Sequence, residues 1–286
     1  MGFLGSHPRR MRFGDRALRM ACSGQLVADP AGRPGVGALL LRKYMAGPQD
    51  LTITDGATDT VRSMWEALGG DTSALASLGW TRVLRPAGFA RAMLARRGRT
   101  LPGPVARVVD AAAGRRLAPE PAAGVTEPLT TAALADAAES LARECDLRPA
   151  YDEGYLGWLL AEAEAVRSRG PLERRLVSVD GVIAGWYVAY MPEGGVAQAL
   201  QVGCAARQAG PVLDQLFADA AAAGCAAVQG RLEPALLAAI RERRCLVRRS
   251  EWALVAAREP ELLAAIAYGR ALLTRLDGEW WMGHHL

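Results

Sequence analysis

Asp29-Pro30-Ala31-Gly32-Arg33-Pro34-Gly35-Val36-Gly37-Ala38-Leu39-Leu40-Leu41 is the stretch on which the fold turns. It follows an apolar run, Ala21 to Ala28, that reads as a strand. It leads into Val36, Leu39, Leu40 and Lys43-Tyr44, which keep helical spacing until Gly47-Pro48 stops them. A glycine-rich turn feeding a helix start leaves backbone N–H groups without intrahelical partners, at the positive end of the helix dipole. That arrangement suits a phosphate or pyrophosphate. Gly35 and Gly37 permit close approach, since a side chain at either position stands between the amides and a ligand. A second reading needs no ligand: the residues form a plain helix start after a tight turn. The stretch alone carries both readings.

Outward from it, the totals narrow the possibilities. The 286 residues, 51% hydrophobic and 22% charged, describe a globular chain with a sizeable core, long enough for two modest domains. The 34 basic and 30 acidic residues leave a net charge of +4. Lys43 is the sole lysine, so the basic side is almost all arginine, a composition bias and not a nucleic-acid signature. The Arg clusters at 96–99, 115–116 and 241–249 read as solvated faces, any of which could hold an acidic ligand. The five cysteines are scattered, as expected of small apolar residues in a reducing compartment. With histidine only at 7, 284 and 285, neither a metal site nor a Ser-His-Asp or Cys-His engine is expected. No apolar run reaches membrane-spanning length, and the expectation is a soluble, cytoplasmic protein without a membrane span.

Along the chain, Gly2–Gly5 and Met11–Arg19 suggest a hairpin leading into the strand at 21–28. Leu51–Thr54 is a short β-branched strand, Ala57–Leu68 an amphipathic helix closed by Gly69-Gly70, and Leu75–Leu84 a further strand. Pro and Gly crowd residues 87–124, which read as a linker with a short helix near Phe89–Arg97. Helices are expected over Leu129–Arg143 and Glu153–Arg167. The hairpin Leu172–Val179 and Val182–Met191 turns at Asp180-Gly181. There follow a strand at 196–202, a helix at 212–223, a strand at 226–229, a helix at 233–243 and one long strand, Leu246–Ala257. Two helical segments, 259–267 and 268–276, precede Asp277–Met282, a further strand or a docking element. The order strand, Gly-containing turn, helix, short strand, helix, strand occurs at 21–84 and again at 196–257, an offset of about 175 residues. Both halves are therefore expected to be α/β, an α+β mixed sheet with helices on both faces.

With these elements in place, the chain resembles the GNAT superfamily of acyl-CoA N-acyltransferases in a tandem arrangement. The family's pattern is a strand, a Gln/Arg-x-x-Gly-x-Gly/Ala loop, and a helix whose first turn holds the CoA pyrophosphate. A second strand and helix follow, often with an Asn and later a Tyr before Gly-Phe. Gly35-Val36-Gly37 matches Gly-x-Gly; Asp59 stands at the Asn, Trp65 at the Tyr, and Gly69-Gly70 at the Gly-Phe. The resemblance covers most of 20–86 and, more weakly, 129–257. It implies an N-terminal GNAT-like domain at 1–86, incomplete at its start, a linker at 87–124, and a C-terminal GNAT-like domain at 125–286. It also implies that Val27, Arg33, Gly35, Val36, Gly37 and Ala38 bind acetyl-CoA or another acyl-CoA as cosubstrate. Gly32 departs from the Gln/Arg position, with Arg33 beside it. The second loop, Arg207-Gln208-Ala209-Gly210-Pro211-Val212, keeps Arg-x-x-Gly but offers a proline without an N–H and a branched Val. It reads as a structural copy.

The resemblance implies N-acyl transfer, probable acetyl transfer, to a small-molecule or protein amine, with no metal and no nucleic acid. Trp65 cannot protonate a leaving thiolate as the family's Tyr does. Tyr44, Asp55 and Asp59 are the groups near the expected groove that could move a proton, and helix capping or surface exposure is the favoured reading of each. The alternative is a GNAT-fold binding or interaction module without catalysis, with tryptophans lining a partner groove. The doubled architecture also fits aminoacyl-tRNA-dependent peptidoglycan ligases and exopolysaccharide enzymes, although low lysine and the lack of a basic helical arm oppose tRNA.

Overall fold

A computed structural model describes residues 1–29, 31, 35–99, 108–112, 119, 122–141 and 144–282. The first part of the chain contains β1 (Gly2–Phe13), β2 (Arg16–Ala28), α1 (Val36–Met45), β3 (Leu51–Ala57), α2 (Asp59–Ala67), β4 (Asp71–Thr72), β5 (Leu78–Val83) and α3 (Pro86–Ala95). After the proline- and glycine-rich stretch come β6 (Val125–Pro128), α4 (Thr131–Ser140), β7 (Leu147–Pro149), α5 (Glu153–Ala165), β8 (Leu172–Val179) and β9 (Val182–Tyr190). The chain continues with β10 (Val196–Cys204), α6 (Ala209–Ala222), β11 (Ala227–Arg231), α7 (Leu237–Glu242), β12 (Leu246–Arg249), β13 (Trp252–Ala257) and α8 (Pro260–Ala267). The expected mixed α/β fold is what forms. Among the described residues no helix is long and apolar enough to cross a membrane.

Local chemistry explains most boundaries. Gly14 at φ +56° turns β1 into β2, and Asp180-Gly181, both at positive φ, turn β8 into β9, as two-residue hairpins require. The Thr58 and Asp152 side chains cap α2 and α5, accepting from Val61 N and Tyr155 N.

The strands form two sheets. One runs β4-β13-β3-β2-β1-β7, the other β12-β5-β11-β10-β9-β8-β6. Among the described strands, β2 with β3 and β10 with β11 pair in parallel and the other strand pairs are antiparallel. Both sheets draw strands from both parts of the chain. β5 leaves its sequence neighbours to pair with β11, and β13 leaves its own to pair with β3. These two strands occupy equivalent places in the repeated element order, so the exchange is reciprocal.

This exchange corrects the sequence reading at two points. The single strand expected over Leu246–Ala257 is broken at Ser250-Glu251, because β12 pairs with β5 in one sheet and β13 with β3 in the other. Ser250 N bonds Ser77 O at 2.9 Å at the crossing. The helix expected over 268–276 does not form. Gly269, at φ +73°, ends the helical path, and the chain beyond it bridges Ala271 to Leu147 and hydrogen-bonds Leu276 N to Leu200 O at 3.0 Å. Leu276 and Trp281 are fully buried in the core between α4, α5 and β9. The C-terminal segment is thereby anchored in the second half while its middle reaches the first. Of the two readings the sequence offered, a further strand or a docking element, the segment takes the form of the second.

Candidate functional site

β2 and β3 pair over only three residues, Met20–Cys22 with Leu51–Ile53. Beyond these, β2 runs on to Ala28 and β3 to Ala57 with a gap between them. A cavity of about 370 Å³ occupies the divergence, with Ser23–Leu26 on one wall, Thr54 and Gly56–Thr58 on the other, and Leu41 of α1 and Trp280 closing it. Parallel strands that diverge at their C-terminal ends beside a helix start are where α/β sheets commonly take ligands.

Among the described residues no side chain caps the start of α1. Gly35 is left-handed, at φ +83°, and supplies no capping side chain. The first intrahelical bond is Leu39 N to Gly35 O at 3.0 Å, so the amides of Val36, Gly37 and Ala38 have no acceptor within the helix. A Cβ on Gly35 meets nothing within 4 Å, and one on Gly37 meets only Leu26 Cδ2 at 4.0 Å. Packing therefore does not demand glycine at 37. The space over both residues suits an anion drawn close to the amides. Val27 lies at the end of β2, paired with Phe3 and exposed. Arg33 lies outside the described residues.

The corresponding helix of the second half is closed. At the start of α6, a Cβ on Gly210 falls 2.8 Å from Arg243 Nη2. That guanidinium is fixed by Asp214, with Nε to Oδ1 at 2.6 Å and Nη2 to Oδ2 at 2.5 Å. A protein cation thus stands where an anion bound to α6 would sit, and Pro211 has no N–H to offer.

At the bottom of the first groove sits Glu279, delivered by the C-terminal segment. Its carboxylate accepts from the Thr54 hydroxyl, from Asp55 N at 3.1 and 3.2 Å, and from Cys22 Sγ at 2.8 Å. Asp55 returns the contact: its Oδ1 accepts from Glu279 N at 2.9 Å and Trp280 N at 3.0 Å. Gly278 makes the approach possible, because a Cβ there falls 2.3 Å from the Asp55 carboxylate. Burial, then the neighbouring Asp55 charge, pushes the Glu279 carboxyl up to about 8. Burial likewise raises the Cys22 thiol well above its ordinary range, so it remains a protonated donor. Arg231 Nη1, 3.7 Å from Asp55 Oδ2, brings the end of β11 into the same cluster.

The other candidate proton carriers are differently placed. Asp55 is buried at the strand divergence, committed to the tail amides and to Arg231. Asp59 lies at the first turn of α2, where it accepts from Trp252 Nε1 at 2.7 Å. Tyr44 donates to Ala21 O at 2.8 Å from beneath α1, and burial raises its phenol. Trp65 is wholly buried, its indole N–H donating to Val255 O at 3.0 Å, and belongs to the core. Sequence reasoning did not find Glu279, Thr54 or Cys22 as site residues. The trace of Glu279 was the segment Asp277–Met282, read as a strand or a docking element, with nothing local to point to a strand 224 residues away. Among the described residues no group of three or more His, Cys, Asp or Glu side chains is arranged to hold a metal ion.

No protein-family model matches the chain, and no curated protein matches it. Similar solved structures include a GCN5-related N-acetyltransferase from Kribbella flavida, 13% identical with a TM-score of 0.52, covering 90% of this chain and 56% of that one. A GCN5-related N-acetyltransferase from Anabaena variabilis is 11% identical with a TM-score of 0.54, covering 90% and 60%. A conserved protein of unknown function from Enterococcus faecalis, described as a probable N-acyltransferase, is 10% identical with a TM-score of 0.53, covering 91% and 59%. At such identities the likeness is one of fold. The chain has the GCN5-related N-acetyltransferase fold and spans less than two thirds of the length of these three proteins.

Proposed function

We propose that the protein is an acyl-CoA-dependent N-acyltransferase whose working groove lies in its first half, between β2, β3 and α1. The observation that carries this reading is the coincidence of two features at one place. The parallel strands part after three paired residues, and beside the gap α1 presents amides with no acceptor among the described residues, under glycines that packing does not require. In this reading the amides of Val36, Gly37 and Ala38 hold the CoA pyrophosphate, with Val27 and Arg33 flanking it, and the acyl end enters the divergence. The acceptor is a small-molecule or protein amine, and acetyl-CoA is the simplest donor.

The reaction needs little from the protein beyond position and one proton acceptor. The acceptor nitrogen attacks the thioester carbonyl, the C–N bond forms, the C–S bond breaks, and CoA leaves as thiolate to be protonated. Glu279 is a buried carboxyl that lines this cavity, and its raised pKa suits it to take the proton of an incoming ammonium. The second half, its helix start covered by Arg243, serves as scaffold and supplies Glu279. The repeated element order supports the reading of the chain as two GNAT-like units, 1–86 and 125–286, joined through 87–124.

One observation favours a non-catalytic binding module instead. Glu279 already occupies the Thr54, Asp55 and Cys22 donors, which leaves none of the three for a thioester oxygen. Calorimetry with acetyl-CoA on wild type and Gly37→Trp, paired with CoA release over a panel of amines, separates the readings. Binding lost in Gly37→Trp together with turnover supports the transferase. Binding without turnover supports the module, and equal binding, or none in either protein, removes the acyl-CoA site.

A further inference from the structure

We propose that a second cavity, beside the acyl-CoA groove on the β1–β2 hairpin, is a binding site for a small organic oxyanion with a flat apolar body. The cavity measures about 790 Å³ and shares no lining residue with the groove. Three guanidiniums line it, those of Arg9, Arg10 and Arg19, against one carboxylate, Asp152.

Arg9 is the central observation. It is 4% exposed, yet among the described residues no carboxylate lies within ion-pair distance of it. Its hydrogens go to Asp277 O and Pro8 O, each at 3.2 Å, and to Met282 Sδ at 3.6 Å. The Asp277 carboxylate is turned away, taken by Tyr151 at 2.7 Å and Thr274 at 2.9 Å. A guanidinium removed from water without a counter-ion is costly, and an anion entering the cavity supplies one.

Tyr155 gives an independent sign. Its hydroxyl is buried without a hydrogen-bond partner among the described residues, other atoms of the side chain line the same cavity, and its ring lies 5.7 Å from the Arg9 guanidinium. A buried O–H left unpaired beside a cation that has no carboxylate among the described residues is the polar complement of one oxyanion. Arg10 and Arg19 add charge at the mouth; the first also pairs with Asp152 at 3.4 Å and the second donates to Pro48 O at 2.7 Å. Pro8, Met20, Ala21 and Pro48 give the wall an apolar part that fits a ring or short hydrocarbon, with Ser6 and Gln49 as further polar lining. Carboxylate and phosphate share this chemistry, and the site is assigned to the oxyanion.

The test uses the full chain and the emission of Trp158, which lies 5.8 Å from Arg9 and is 44% exposed. Benzoate and phenyl phosphate are titrated beside benzyl alcohol and inorganic phosphate. At least one aromatic oxyanion is expected to bind with a salt-dependent signal, and benzyl alcohol to give none. Affinity is expected to fall by about tenfold or more in Arg9→Met and severalfold in Tyr155→Phe and Arg19→Gln. Because Arg9→Met removes a buried group and can unfold the chain, the other two variants carry the result alone if it does. Neither aromatic anion binding, equal binding by both milder variants, or inorganic phosphate binding as tightly as phenyl phosphate each overturns the proposal.

Discussion

Asp55 and Glu279 exchange hydrogen bonds in both directions: each carboxylate accepts from the other residue's backbone N–H, across 224 positions of sequence. The pair holds two acids close together and ties the C-terminal segment to the end of β3. Since both backbone amides are engaged, removing either carboxylate frees one end of the clasp.

Asp55→Ala is therefore expected to destabilise the protein by about 3 kcal/mol, because it strands the amides of Glu279 and Trp280 and leaves Arg231 without its carboxylate. Urea unfolding measures the loss, and protease cleavage within 277–282 should quicken. A change under about 1 kcal/mol would count against the clasp as a stabilising element.

The pH dependence of stability has a definite sign. Burial raises the carboxyls of Glu279 and Glu233 to about 8 in the folded chain, so the folded state holds protons that the unfolded state releases from about pH 4.5 upward. Their stabilising effect is complete below the unfolded value and is lost as pH rises through 8. Each group contributes a decline of up to ~1.4 kcal/mol per pH unit in that window. Glu279→Gln should remove its own part of the slope, measurable as urea midpoints from pH 4 to 9. A slope unchanged in the variant would show that Glu279 titrates normally.

Gly37→Val should separate binding from folding. Its Cβ meets only Leu26 at 4.0 Å, so the melting temperature should move by no more than a few degrees. Acetyl-CoA affinity should fall by more than tenfold as the branched side chain covers the α1 amides. A melting temperature lowered by about 10 °C or more would mean that packing requires the glycine.

Arg243→Ser uncovers the start of α6 and breaks the pair with Asp214. The expected cost is about 1–3 kcal/mol, and calorimetry should still find one acetyl-CoA per chain, since Pro211 has no N–H to contribute. A second equivalent bound in the variant would show that Arg243 alone closes that helix.

Local signals made much of the fold legible. The strand, glycine turn and helix around Gly35 and Gly37 follow from backbone chemistry within a few residues, as does the hairpin at Asp180-Gly181. What escaped depends on distant partners. Leu246–Ala257 looks like one strand because its apolar residues run on through it; only Ser77 and the two sheets on either side decide that it breaks at Ser250. Leu272 and Leu276 keep helical spacing, but Gly269 and the pairing with Leu147 and Leu200 override it. The site divides the same way. The α1 amides are legible because a helix start is local. Glu279 is not, because its role depends on where a tail packed against β10 happens to reach.

The reciprocal placement of β5 and β13 makes the molecule a natural split pair. A chain cut between Arg99 and Val108 yields an N-terminal piece whose sheet is missing an internal strand and a C-terminal piece with the same defect. Each carries the strand the other needs. Expressed apart, both pieces should be insoluble or unfolded; expressed together, they should assemble one-to-one and regain the Glu279 contact without a covalent join. The molecule then behaves as an obligate heterodimer that happens to be encoded as one chain.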